Sequence, residues 1–351
     1  MKKRLIVNEI FVIRAIACVS VVLIHSLTSS IKHVDDGSLI DQNLISTSTL
    51  LLMFATPTFI FLSEFLLSIS YPNELPKGFF SKRFKFLLIP YASIGTIYAA
   101  ISVETFTLKT WLIKSLSNVF LTDYFGYFII IIFQFYILHW LFANRLKTLP
   151  PVKTTVISFI VNVLYLSFFN LVNPDSDNFV FNAVWSKLSY MPFVAWIFYF
   201  TLGYYAGTRY KKLVNKLQSN SIKLFSIVAL SVILLLSSQH YGLFDKVWSK
   251  RPDLLIYTTA VILLIFYFSS KIKRIPDIVY TISNYSFNIY LLHMFIIKFI
   301  EKIDIKINLV LYVPGVFITS LTLSILIAFL ANKLPYGYLI VGKRQSYKPI
   351  S

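Results

Sequence analysis

Arg14 and His25 are the two residues whose type and placement could do chemistry first. Both fall inside one apolar stretch, NEIFVIRAIACVSVVLIHSLTS, at residues 8–29. Eleven helical steps bring the second side chain to within roughly 20° of the first, about 16 Å further along the axis. A guanidinium is suited to bidentate contact with phosphate. An imidazole titrates near neutrality and can take a proton from a hydroxyl. A cation among lipid tails costs roughly a few kcal/mol, so such groups tend to face a cavity or a partner. The plainer alternative is that Arg14 snorkels toward the interface while His25 hydrogen-bonds a neighbouring helix.

Other polar groups in apolar surroundings extend the set. Cys18 shares the same face; it could carry an acyl group as a thiol, but packing is the commoner use of such a residue. Glu64, in FIFLSEFLLS, should be protonated, paired or turned to a cavity, with Arg14 or His25 as possible partners. Ser286, Tyr290 and His293, in SNYSFNIYLLHMF, recur at four and three residues and so share a face. They could line a substrate pocket or join helices. Arg83 and Lys85, in FFSKRFKFLLIPY, mark the start of a further span in which Pro90 predicts a kink. His139, next to a basic loop, reads as interfacial.

The elements that must position these residues are membrane spans. The chain has 351 residues, 57% hydrophobic and 14% charged, with a mean hydropathy of +0.71. That composition is one of a polytopic membrane protein. Segments long enough to cross a roughly 30 Å hydrocarbon core fall near 8–29, 44–70, 85–103, 125–143, 154–172, 190–208, 222–238, 254–270, 284–300 and 308–331. Ten spans put both termini on one side. Of the 33 Lys and Arg residues, 22 then fall on the side of the termini and 10 on the other, Arg14 being the last. The positive-inside rule makes the termini cytoplasmic. The net charge of +18 is thereby a matter of topology, and no nucleic-acid partner is expected. SLTSSIKHV offers no signal-peptide cleavage pattern, so the first span is expected to be retained as an anchor.

Short loops leave no room for a soluble catalytic domain, so the expectation is an all-α helical bundle forming one transmembrane domain over 1–351. A single cysteine excludes an internal disulfide. There is no Gly-rich phosphate loop, no zinc-type Cys/His spacing and no GxSxG, so no metal is expected. The segment 105–122 has apolar residues at helical spacing and is expected to lie as an amphipathic helix at the outer surface.

Arg-x10-His in the first span, a basic turn leading to a proline in the third, and SFNIYLLH near the C-terminus together resemble the acyltransferase 3 family. The resemblance covers essentially the whole chain. ATPTFIFLSEFL, RFKFLLIPYASIG, YGYFIIIIFQF and WIFYFTLGYYAG point within it to the intercellular-adhesin branch, associated with O-succinylation of poly-β-1,6-N-acetylglucosamine. The resemblance implies that acyl-CoA, as acetyl-CoA or succinyl-CoA, is the co-substrate, and that a cell-surface glycan accepts the acyl group. The bilayer, and a polysaccharide synthase complex, would be the other partners. It makes His25 the catalytic histidine, acting as base or acyl carrier, and Arg14 a residue needed on the acyl-CoA side. Arg83, with Lys85, matches the basic pair of the family, although Lys85 stands where a second arginine is usual. Glu64 stands where the family has a glycine, which could make it a pocket group. No esterase-like domain is expected after the tenth span. The rival reading is a transporter that exports polysaccharide without acylating it.

Overall fold

A computed structural model describes residues 8–31, 39–172, 178–244, 246–303 and 308–345. Lys2, Lys3, Arg4, Lys32, Lys306 and Lys348, all counted in the charge asymmetry, lie outside the described residues. Regular structure among the described residues is helical throughout. In chain order the helices are α1 (Asn8–Ser30), α2 (Leu39–Leu52), α3 (Ala55–Ser70), α4 (Phe79–Arg83), α5 (Ile89–Ser102), α6 (Leu108–Phe120), α7 (Phe128–Thr148) and α8 (Pro151–Leu171). They continue with α9 (Phe179–Leu188), α10 (Ile197–Thr208), α11 (Tyr210–Ser219), α12 (Ser221–His240), α13 (Leu254–Ser269), α14 (Asp277–Glu301), α15 (Leu309–Ala331) and α16 (Tyr338–Val341).

Seven helical stretches among the described residues are long and apolar enough to cross a membrane: Asn8–Ser30, Gln42–Ser70, Phe79–Ser102, Leu108–Thr148, Pro151–Leu171, Ser221–His240 and Leu309–Ala331. The chain is a multi-pass membrane protein. Three of the ten expected spans take other forms. The stretch expected at 190–208 is α-helical only over α10, twelve residues after a 3-10 turn at Phe193–Trp196. Pro192 precedes that turn, and Asn162 holds it: its Nδ2 donates to the Ala195 carbonyl at 2.9 Å and its Oδ1 accepts from the Phe198 amide at 3.2 Å. α13 is a shorter apolar helix of 16 residues. α14 has 25 residues, yet Asn284, Ser286, Asn288 and His293 make it too polar to stand with the seven.

The chain divides into two compact units. The first comprises Met1–Ala17, Ser46–Leu75 and Ile131–Ile275. Its α3 and α10 approach closely because Gly203 and Gly207, four residues apart, present no side chain. A Cβ at Gly203 would lie 2.7 Å from the Phe61 carbonyl oxygen, and one at Gly207 2.0 Å from Ser68 Oγ. Small residues at this spacing let membrane helices pack backbone to backbone. Between α2 and α3 the helix breaks at Met53 and Phe54. Pro57 lacks the amide that a continuous helix would use to bond residue 53.

The second unit comprises Cys18–Ile45, Pro76–Ile130 and Pro276–Ser351. Here α4 runs into α5 through a π-turn at Phe84–Leu88, and Pro90 falls in the first turn of α5. Where a kink was expected at Pro90, the helix carries a π-turn that ends just before it. α6 begins on a capping box between Thr107 and Thr110. It buries Ser115 and Asn118 and exposes Leu112, Ile113 and Leu116. Asn118 Nδ2 donates to the Gly95 carbonyl at 2.8 Å, and Trp111 Nε1 to the Thr96 carbonyl at 3.1 Å. The amphipathic helix therefore turns its polar stripe onto α5 and its apolar residues outward, as a lipid-facing helix does.

Candidate functional site

His25 sits on α1 near its C-terminal end and His293 sits on α14; their ring centroids are 5.2 Å apart. His293 is fully buried, whereas His25 retains some exposure. His293 Nδ1 lies 2.9 Å from the Ile289 carbonyl one turn earlier. A carbonyl oxygen only accepts, so Nδ1 carries the proton and Nε2 presents a lone pair. That Nε2 has no hydrogen-bond partner. Phe125 packs edge-on to His293 with centroids 5.6 Å apart. Tyr290, 6.0 Å from His293 between centroids, donates its hydroxyl to the Phe125 carbonyl and meets the Phe128 ring at 4.1 Å. An imidazole pair in an aromatic wall, one ring partly open and the other with an acceptor held in place, can take up and return a proton.

Ser286 is buried on α14, one turn before Tyr290. Its carbonyl accepts from Cys18 Sγ at 3.9 Å, and the Cys18 side chain is buried, which is a packing position. Arg14 is buried on α1, in the first unit. Arg83 ends α4 with its guanidinium 4.9 Å from the Phe79 ring centroid. Lys85, in the π-turn, is exposed, with its Nζ 5.8 Å from the Phe86 ring centroid.

Glu64 is paired, as was one of the options for it, but its partner is His139. Both belong to the first unit and both are buried. Glu64 Oε1 lies 2.7 Å from His139 Nδ1, and His139 Nε2 donates to the Tyr71 carbonyl at 3.0 Å. The partner of Glu64 is thus His139 rather than His25. His139 is a buried residue, because both its ring nitrogens have hydrogen-bond partners within the first unit. Glu64 Oε2 has no hydrogen-bond partner. Arg251, counted among the loop cations, is also fully buried. It donates through Nε to Asp253 Oδ1 at 3.1 Å and through Nη2 to Ser238 Oγ at 2.6 Å.

Phe125 was not among the expected site residues, although the aromatic run DYFGYF before α7 marks a segment that packs rather than a simple loop. Tyr124 in that run donates to the Tyr91 carbonyl at 2.7 Å, fixing the turn from which Phe125 projects.

An acyltransferase domain model, that of the acyltransferase 3 family, matches residues 7–329. The chain belongs to the acyltransferase 3 family. A protein of Bacillus subtilis (strain 168) named "Putative membrane-bound acyltransferase YfiQ" is 37% identical over 348 residues, covering 96% of this chain and 94% of that protein. Staphylococcal relatives carry a different name, "Probable poly-beta-1,6-N-acetyl-D-glucosamine export protein". That of Staphylococcus aureus (strain Mu50 / ATCC 700699) is 29% identical, with 82% of each chain covered. That of Staphylococcus epidermidis is 28% identical, covering 82% of this chain and 81% of the other. No solved structure matches the chain. Family membership makes this acyltransferase 3 chain a membrane-bound, acyltransferase-type protein with an acyl donor as its implied co-substrate.

Proposed function

We propose that the chain moves an acetyl or succinyl group from acyl-CoA to a hydroxyl of a cell-surface polysaccharide of the poly-N-acetylglucosamine kind. The observation that carries the reading is the His25–His293 pair within its aromatic wall, in a member of an acyltransferase family. His25 takes the proton of a sugar hydroxyl, and the freed oxygen attacks the thioester carbonyl. The C–S bond breaks, the ester forms, and His25 returns its proton to the departing thiolate. In the covalent variant His25 itself receives the acyl group before the sugar does. Arg83 and Lys85 serve the phosphates of the donor, and Arg14 is a residue that activity needs. Ser286, Tyr290 and His293 border the acceptor. Glu64 is paired with His139 in the first unit.

In this reading 1–351 is one transmembrane domain with both termini cytoplasmic. The seven long apolar helices together with α10, α13 and α14 make the ten crossings. The donor arrives from the cytoplasm, the acceptor stands on the outer side, and a polysaccharide synthase complex supplies it. A second reading, export of the glycan without acylation, is favoured by the names of the staphylococcal relatives. One experiment separates the two. Cells carrying His25→Ala are expected to export glycan in normal amount but without ester groups, measured by base-released acid per hexosamine. Export lost with the esters intact would sink the acyltransferase reading.

A further inference from the structure

We propose that the segment after α15, which lies beyond the residues matched by the family model, completes the donor site: Lys343 and Arg344, with Lys85 and the buried amide of Asn284, hold the phosphates of a nucleotide-linked thioester. The proposal rests on the donor reading above and, apart from Lys85, names residues that reading does not use.

All the groups belong to the second unit. Residues 342–345 are fastened as a strap over the first half of α14. Asn288 Nδ2 donates to the carbonyls of Val341 at 2.8 Å and Gly342 at 2.7 Å. The Gln345 amide donates to the Asn284 carbonyl at 3.1 Å. Asn332, just past α15, donates through Nδ2 to the Gly342 carbonyl at 3.1 Å and accepts from the Arg344 amide at 3.3 Å. Gly342 has φ +86, and a Cβ there would lie 2.6 Å from the Phe287 ring. Only glycine combines that backbone conformation with that approach.

What this fastening displays is positive charge beside aromatic rings. Lys343 Nζ lies 5.2 Å and Lys85 Nζ 5.8 Å from the centroid of one ring, Phe86. The Arg344 guanidinium lies 4.9 Å from the Tyr285 ring. Lys85, Lys343 and Arg344 are exposed, and none of them pairs with a carboxylate among the described residues. A strap held by this many backbone bonds solely to gather like charges would be self-defeating without an anion between them.

The independent observation is Asn284, immediately before Tyr285. It is 1% exposed, and both its Nδ2 and its Oδ1 lack a hydrogen-bond partner. Buried side-chain amides in folded proteins are nearly always satisfied. An amide supplies a donor for a phosphate oxygen and an acceptor for a ribose hydroxyl or an adenine amine. Phe86 and Tyr338, whose centroids are 5.8 Å apart, offer faces against which a base can lie.

A phosphodiester could also come from a lipid headgroup, so the experiment has two arms. In the first, coenzyme A is titrated calorimetrically into the purified full chain in a neutral detergent. In the second, native mass spectrometry counts phosphatidylglycerol retained by the same proteins. Wild type is expected to bind coenzyme A, and Lys343→Ala/Arg344→Ala to bind it about tenfold or more weakly, as befits lost charge-assisted bonds. Gly342→Ala removes no charge but should weaken binding in the same direction by displacing the strap. Lys212→Ala, on α11, should leave binding unchanged. Wild-type binding with both strap variants unaffected overturns the strap and leaves the donor reading standing. No binding by wild type removes the donor reading and the strap with it. Phosphatidylglycerol lost from the double variant while coenzyme A binding persists assigns the cluster to lipid and likewise overturns the proposal.

Discussion

Replacing His139 by phenylalanine should cost more stability than replacing His139 and Glu64 together. Glu64 and His139 are 0% and 1% exposed. In wild type, the 2.7 Å contact between Oε1 and Nδ1 is the hydrogen bond that satisfies the Glu64 side chain, because Oε2 has no partner. His139→Phe leaves the carboxyl group buried with neither oxygen satisfied. Removing one member of a buried pair costs about 3–5 kcal/mol. Glu64→Met/His139→Phe leaves no buried ionisable group at that point, and apolar replacement of a whole pair is close to neutral. Its remaining cost is the Tyr71 carbonyl, which loses the 3.0 Å bond from Nε2, about 1 kcal/mol. Methionine suits position 64 because Gly203 packs against the Glu64 Cβ and leaves no room for branching there. The double variant should therefore recover about 2–4 kcal/mol relative to His139→Phe, a factor of roughly 30 or more in the unfolding equilibrium. Reversible unfolding in mixed micelles, followed by tryptophan fluorescence for wild type, both single variants and the double, measures the cycle. A double variant as unstable as the sum of the singles would refute the pairing argument.

Two further expectations concern other parts of the first unit and the helix α15. Gly207→Val should destabilise by at least about 1–3 kcal/mol through overpacking of α3 against α10. Gly315→Ala, where nothing stands within 4 Å of the added Cβ, should be neutral or stabilising. Equal thermal midpoints for the two in detergent would contradict the close approach. Lys250 lies in the loop before α13, its Nζ 4.0 Å from the Tyr190 ring centroid. Burial, with Lys187 and Lys246 nearby, pushes its amine down from 10.5 to about 7. Between those values the unfolded chain binds more protons than the folded one, so this group makes stability rise with pH across that window. Unfolding free energy measured from pH 7 to 10 should flatten in Lys250→Met, and a slope unchanged by the substitution would count against the assignment.

Much of the fold was legible because lipid imposes a simple demand, that apolar residues run unbroken for a membrane's thickness. That demand exposes α1, α8, α12 and α15 directly. It fails where packing rather than lipid decides. The 3-10 turn before α10 depends on Asn162, thirty-odd positions away in sequence and bonded to it only in the folded chain. His139 looked interfacial because the neighbouring loop is basic, but its surroundings are set by Glu64, 75 residues earlier. His25 and His293 were each visible as costly groups in apolar sequence, and Tyr290 and His293 as neighbours on one face. That the two rings approach each other could not be read, since no local periodicity records which helices meet. The strap escaped for a related reason: Lys343 and Arg344 read as ordinary topological cations until Gly342 and its bonds are seen.

The π-turn at Phe84–Leu88 has a further meaning for how this chain can vary. A π-turn holds one residue more than the α-helical path it replaces. Everything before it, Arg83 included, is therefore rotated by about 100° relative to α5 from where an uninterrupted helix would put it. The direction of that guanidinium is accordingly encoded in a count of residues and not in the identity of any one of them. The apolar residues of the turn could each be exchanged for another apolar one and the aim would survive. Deleting a single residue there would swing the basic end of the helix to another face while leaving the composition of the span almost untouched.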